Sequence, residues 1–245
     1  MEADSYIRIA EETIDKAWRA QRDTIHAASR QIATAIENRN KVYIFGCSHA
    51  GILAEEAFYR TGGLAVINPI FFPALMLNTR PVTMTSKVER LNGIGTALAE
   101  ENHIRTGDVV LIHSVSGRNN VPVEFALACR ERGAHTLAIT NVAYSSAVSG
   151  RHPSGKKLFE VCDLVIDNGG PVGDAVIALE GLPEKIGPTS TVCGAALLDG
   201  LIIEVVETIL QDGKVPPVFL SANLDGGDAH NRKILDLYGE QISYM

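Results

Sequence analysis

Five short apolar runs, at residues 41–45, 64–67, 108–112, 135–139 and 159–166, recur along the chain with helix-patterned segments between most of them. Strands separated by helices cannot close as tight hairpins, so each must cross over to a parallel neighbour. The pattern therefore predicts an α/β fold, a three-layer α/β/α sandwich around a mainly parallel five-stranded sheet. In a flavodoxin-like order, 2-1-3-4-5, the first and third strands lie side by side, and ligands bind outside their carboxyl ends. At 245 residues, 46% of them hydrophobic, the chain can bury one large core. A single domain is expected, with a helical segment over 1–38, a core over 39–211 and a tail over 212–245.

Residues 6–38 carry apolar side chains near helical spacing and read as one helix or two. Further helices are expected over 52–60, 87–101, 121–129 and 192–211, and residues 175–179 read as a further strand or an edge. Residues 68–85 form an apolar connector interrupted by proline, of a kind that covers a site or meets another subunit.

The formal net charge of −7 argues against nucleic acid or an anionic membrane as the main partner, so any anion site has to be local. The most apolar stretch, 192–210, contains Asp199, Glu204 and Glu207, which speaks against a membrane span, and no signal peptide is visible. Cys47, Cys129, Cys162 and Cys193 lie far apart without CxxC spacing, as expected of reduced thiols in a cytoplasmic protein. Asp225, Asp228 and His230 have a spacing compatible with a metal. With no second cluster of donors, no metal is expected.

Three turns carry the chemistry. Residues 113–120, His-Ser-Val-Ser-Gly-Arg-Asn-Asn, join the third strand to a helix. The first amides of a helix lack intrahelical partners and carry the positive end of its dipole, so Ser114, Ser116 and Gly117 here suit a phosphate. There is no Walker lysine, and residues 46–51, Gly-Cys-Ser-His-Ala-Gly, lack the GxGxxG spacing of a dinucleotide site, so no cofactor is expected. Those residues nevertheless place Ser48 and His49 at the end of the first strand. Thr189, Ser190 and Thr191 follow Gly187-Pro188 ahead of a helix, more hydroxyls than one N-cap needs. His113 reads as a strand-end residue packing beneath its loop.

Strand-Gly-x-Ser-helix, then strand-Ser-x-Ser-Gly-x-Asn-helix, then Gly-Pro-Thr-Ser-Thr-helix resembles the sugar isomerase (SIS) domain family over roughly residues 39–211. Within it the chain looks most like uncharacterised single-domain proteins likened to phosphoheptose isomerases. The resemblance implies a sugar phosphate held by Ser114, Ser116 and the amides through Asn119, with Ser48 and residues 189–191 completing the pocket. The family's usual threonine after Ser-x-Ser-Gly-x is Asn119 here. The resemblance also implies a homodimer or homotetramer.

Isomerising an aldose to a ketose needs a base to move a proton and a group to open the ring. Glu55 lies seven residues after Ser48 and returns to its helical face, while Glu89 lies in the segment before the third strand. Either is a candidate base. His230, in the polar run 225–232, is the candidate for ring opening. The expected function is an aldose-ketose isomerase acting on a sugar phosphate. The rivals are a phosphosugar sensor without turnover and an amino-sugar-phosphate lyase or deaminase.

Overall fold

Valine, isoleucine and leucine dominate the central runs, and such residues form strands buried on both faces. The computed structural model describes residues 1–245. After helices α1 (Glu2–Ala20) and α2 (Arg22–Glu37) comes strand β1 (Val42–Gly46). A 3-10 turn over Ser48–Gly51 leads into α3 (Ile52–Ala57), then β2 (Ile67–Ile70). Helices α4 (Met84–Val88) and α5 (Ile94–Glu101) precede β3 (Val109–His113), α6 (Asn120–Glu131) and β4 (His135–Thr140). The short α7 (Val142–Ser146) and β5 (Leu164–Asp167) complete a wholly parallel sheet in the order β2-β1-β3-β4-β5. That is the 2-1-3-4-5 order expected, and Gly46 and His113 stand side by side at its switch point.

Alternation along each strand divides the core into two. Val42, Ile44, Val109 and Leu111 face α2, α3 and α8 (Ser190–Gln211), where Ile25, Ile36, Leu53, Leu197 and Leu201 pack. Tyr43, Phe45, Val110 and Ile112 face α5 and α6, with Phe45 and Phe125 ring centroids 4.7 Å apart. Before α8, strands β6 (Ala175–Ile177) and β7 (Ile186–Pro188) pair antiparallel as a separate hairpin.

Several elements depart from the sequence reading. The second strand is Ile67–Ile70, not 64–67. Pro69 lacks an amide donor, yet β2 is the edge strand and tolerates it, while Leu64 forms an isolated antiparallel bridge with Val218. The fifth strand begins at Leu164, because residues 158–160 wind into a 3-10 turn. The helix expected over 87–101 is two helices, broken where Gly93 takes φ +89°. The Glu124 carboxylate accepts the Gly93 and Gly95 amides at 2.8 Å each, which docks the break onto α6. The run expected as a polar turn around His230 is the helix α9 (Gly227–Tyr238).

The tail seals the β2 edge through two buried amide side chains. Asn68 Nδ2 donates to the carbonyls of Val42, Val66 and Gln241, and its Oδ1 accepts the Ser243 amide. Gln241 Nε2 donates to the carbonyls of Ile36 and Asn40. Both side chains are almost wholly buried, so removing one strands several polar groups away from water. Asn68→Ala is expected to cost roughly 2–4 kcal/mol. In urea unfolding this is a lower midpoint at unchanged slope.

Candidate functional site

The loop after β3 is held from below at every carbonyl. Thr140 Oγ1 donates to the Ser114 carbonyl at 2.6 Å, the Asn141 amide to Val115 at 3.1 Å and Ser145 Oγ to Ser116 at 2.7 Å. The Leu158 amide donates to the Gly117 carbonyl and the Arg151 amide to that of Arg118, both at 2.8 Å. The opposite sides of these peptide units, the amides of Val115, Ser116, Gly117, Arg118 and Asn119, donate to nothing in the chain. A run of free amides ahead of a 12-residue helix is a concave donor surface at the positive end of a dipole. Gly117 is required: its φ is +57°, and a Cβ there would lie 2.9 Å from Ser145 Oγ and 3.2 Å from Leu158 Cβ. The Ser114 side chain is buried at the base of the loop, and Ser116 is half-buried.

Across the switch point, the turn after β1 forms the second wall. Gly46 admits no side chain, because a Cβ would fall 2.4 Å from the Ala50 carbonyl oxygen. Ser48 adopts φ +56°, a strained conformation for a residue with a side chain. His113 Nδ1 donates to the Ala50 carbonyl at 2.9 Å and so fixes this turn against β3. Complete burial lowers the His113 pKa to about 4, which keeps the ring neutral at pH 7. Its Nε2 is buried without a partner and faces the first turns of α8, 3.6 Å from where a Gly194 Cβ would stand.

Gly46, Ser48 and Glu55 line a cavity of about 150 Å³, roofed by Phe71, Phe72 and Met76 of the connector. The connector therefore covers this end of the sheet. Glu55 is exposed at the cavity's edge, and His49 is exposed beside Ser48. A roomier groove, about 390 Å³, lies between the end of α3 and α9, lined by Tyr59, Phe219 and Asn231, and it holds none of the free loop amides.

Glu89 caps the C-terminal end of α4 beside the serine loop. Its carbonyl accepts the Val121 amide, which fixes it at the start of α6. Burial raises the pKa of its carboxyl group, opposed by a hydrogen bond from Asn119 and by the charges of Arg151 and Arg90. Glu89 also adds to the upward shift that burial gives the Cys47 thiol, which places its charge near the end of β1. Of the two candidate carboxylates, Glu89 adjoins the free amides and Glu55 the covered cavity.

Two expected members of the site have other partners. His230 Nε2 donates to the Val218 carbonyl at 2.9 Å, and Val218 pairs with Leu64, ahead of β2 and at the far end of the sheet. Within one chain His230 does not join Ser48 and Ser114. The turn before α8 holds an anion already, the chain's own. Asp174 Oδ1 accepts the Thr189 and Ser190 amides at 3.0 and 2.8 Å, and its Oδ2 accepts Ser190 Oγ at 2.6 Å. Sequence reasoning missed Asp174 because the β6–β7 hairpin delivers it, at φ +70°, from 15 residues upstream of Thr189. The packing of Arg151 against the Arg118 end of the loop was missed as well. A loop arginine signals nothing until the 149–157 segment folds against it. Asp225, Asp228 and His230 do not converge, and the chain has no group of three metal-binding side chains. No helix is long and apolar enough to cross a membrane.

The SIS-domain family profile matches residues 5–141. A UPF0309 protein of Shouchella clausii is 47% identical over 242 residues, covering 99% of this chain and 97% of its own. Among solved structures, a phosphoheptose isomerase from Francisella tularensis superimposes with a TM-score of 0.55 at 13% identity, over 84% of this chain and 97% of its own. The Vibrio vulnificus NanR protein complexed with ManNAc-6P gives a TM-score of 0.50 at 14% identity, over 97% of this chain and 70% of its own.

A buried neutral histidine makes stability depend on pH in one direction. The unfolded ring takes up a proton near pH 6.5 and the folded ring near 4, so its contribution is complete above 6.5 and is lost as pH falls toward 4. The span corresponds to about 3 kcal/mol. Urea unfolding at several pH values is expected to show His113→Gln with a flatter acid limb than the wild type over this window.

Proposed function

The chain belongs to the SIS-domain family, and on that premise we propose that it binds a sugar phosphate and isomerises it between aldose and ketose. The observation that carries the reading is the row of free amides from Val115 to Asn119, every carbonyl of residues 114–118 being tied back. A phosphate monoester has three terminal oxygens to accept such donors, and the Ser114 and Ser116 hydroxyls add to them. The complex of the NanR protein with ManNAc-6P supports a phosphorylated sugar as the ligand class. In this reading Thr189, Ser190 and Thr191 do not hold the phosphate. With Asp174 they form a fixed wall.

With the phosphate anchored, the open-chain sugar extends toward Ser48 and the cavity beneath the connector, and anchoring at a remote group contributes to orientation at the reacting carbon. Glu89 is the base. It takes the proton from C2 of the aldose, the C1 oxygen gains a proton as the C2 hydroxyl loses one, and the proton returns to C1. A carboxyl group whose pKa is raised by burial suits this shuttle, being a stronger base than an exposed one. Glu55 lines the sugar end of the pocket. His49, exposed beside Ser48, takes the ring-opening role that His230 does not reach within one chain.

Thermal shift against a panel of sugar phosphates is expected to identify a ligand. At a hundred times its dissociation constant it adds about 2.7 kcal/mol of stability. With that ligand in D₂O, proton NMR is expected to show exchange at C2. Glu89→Gln should lower kcat by a factor on the order of 10²–10⁴ while leaving the dissociation constant within a fewfold. Binding without exchange or turnover in the wild type would identify a sensor, and a released amine or a cleaved product would identify the deaminase or lyase.

A further inference from the structure

In a chain of net charge −7, the far end of the amide cradle is basic. Arg118 belongs to the loop itself, and Arg151 packs against it, the Arg151 amide donating to the Arg118 carbonyl at 2.8 Å. The Arg151 guanidinium reaches Asn119, the last residue of the cradle, with Nη1 2.6 Å from Oδ1. Arg118 Nη2 donates to Ser149 Oγ at 3.2 Å. Residues 149–158 around Arg151 add Lys156 and Lys157 and contain no acidic residue.

Neither guanidinium forms an ion pair, although five other arginines of the chain do. Each offers five donors and uses one on a neutral side-chain oxygen, and Arg118 Nε is buried with no partner at all. Like charges held together are unfavourable: burial lowers the Arg151 pKa, and Arg118 and Arg90 lower it further. Glu89 offsets part of this from a distance. One phosphate seated on the loop amides is already supplied with donors, which leaves the arginine pair without a use.

We infer that the ligand carries a second anionic group, a phosphate or a carboxylate, and that Arg118 and Arg151 receive it beside the amide cradle. The inference rests on the phosphosugar reading and narrows it to sugar bisphosphates and phosphosugar acids. Open guanidinium edges suit both groups, since each presents two oxygens to a planar pair of N–H donors.

Calorimetric titration of the full chain with glucose 6-phosphate, 6-phosphogluconate and glucose 1,6-bisphosphate tests this, extended to the same trio built on the best-bound monophosphate of the panel. At least one doubly anionic member is expected to bind roughly tenfold or more tighter than its monophosphate. Which one binds tighter tells carboxylate from phosphate. Arg151→Gln is expected to bring the two to within about twofold while the monophosphate constant holds, and Arg118→Gln to act in the same direction. Equal affinities in the wild type, a preference that survives both substitutions, or an equal loss for both ligands would overturn the inference. Monophosphate binding without a preference defeats this inference alone, whereas no binding by any sugar phosphate defeats the phosphosugar reading with it.

Discussion

The site depends on one constraint, the tethering of the loop after β3 by its carbonyls. A peptide unit that donates its oxygen downward presents its N–H upward, and here five consecutive units do so. The tethers come from three directions: Thr140 and Asn141 at the end of β4, Ser145 on α7, and the segment carrying Arg151 and Leu158. Crossing from β3 to β4 and then toward β5 therefore builds the loop's shape as well as the sheet. An amide without a protein partner costs little where water reaches it, and it becomes a strong donor once an anion excludes the water.

The same economy governs the neighbouring turn. Ser48 is held at a positive φ, which a serine accepts only where its surroundings impose it, and the His113 ring pins the turn that contains it by donating to Ala50. Because that donation takes Nδ1, the buried Nε2 is left as an acceptor without a partner, facing the first turns of α8. The cost of burial keeps the ring neutral, outweighing the Ala50 carbonyl and the Asp174 charge, which both favour a protonated ring. At the third turn, Asp174 occupies the Thr189 and Ser190 amides from within, whereas the loop after β3 has no internal occupant.

Local patterns were legible and long-range deliveries were not. Apolar runs and their spacing foretold the parallel sheet, its 2-1-3-4-5 order and the adjacency of the strand ends at Gly46 and His113, since these follow from crossover connections alone. The β2 boundary was misplaced because Pro69 reads as a strand breaker unless the strand is known to be an edge. The break at Gly93 escaped a periodicity reading because its cause, Glu124, lies on α6. His230 looked like a loop residue because glycines and aspartates precede it, yet those residues begin α9. Asp174 and Arg151 acquire their roles only when a hairpin and a neighbouring loop fold back onto the turns they serve, and no local motif encodes that return.

The central claim is that the amides of residues 115–119 seat the phosphate, and amide hydrogen exchange read residue by residue tests it directly. Without ligand these amides are expected to exchange nearly as fast as unstructured peptide, in contrast to the slow amides of β3 and α6 on either side. Saturation with a bound sugar phosphate is expected to slow them by roughly tenfold or more, as donors engaged by an anion open only when it leaves. A sugar phosphate that binds and leaves their exchange unchanged would contradict the account.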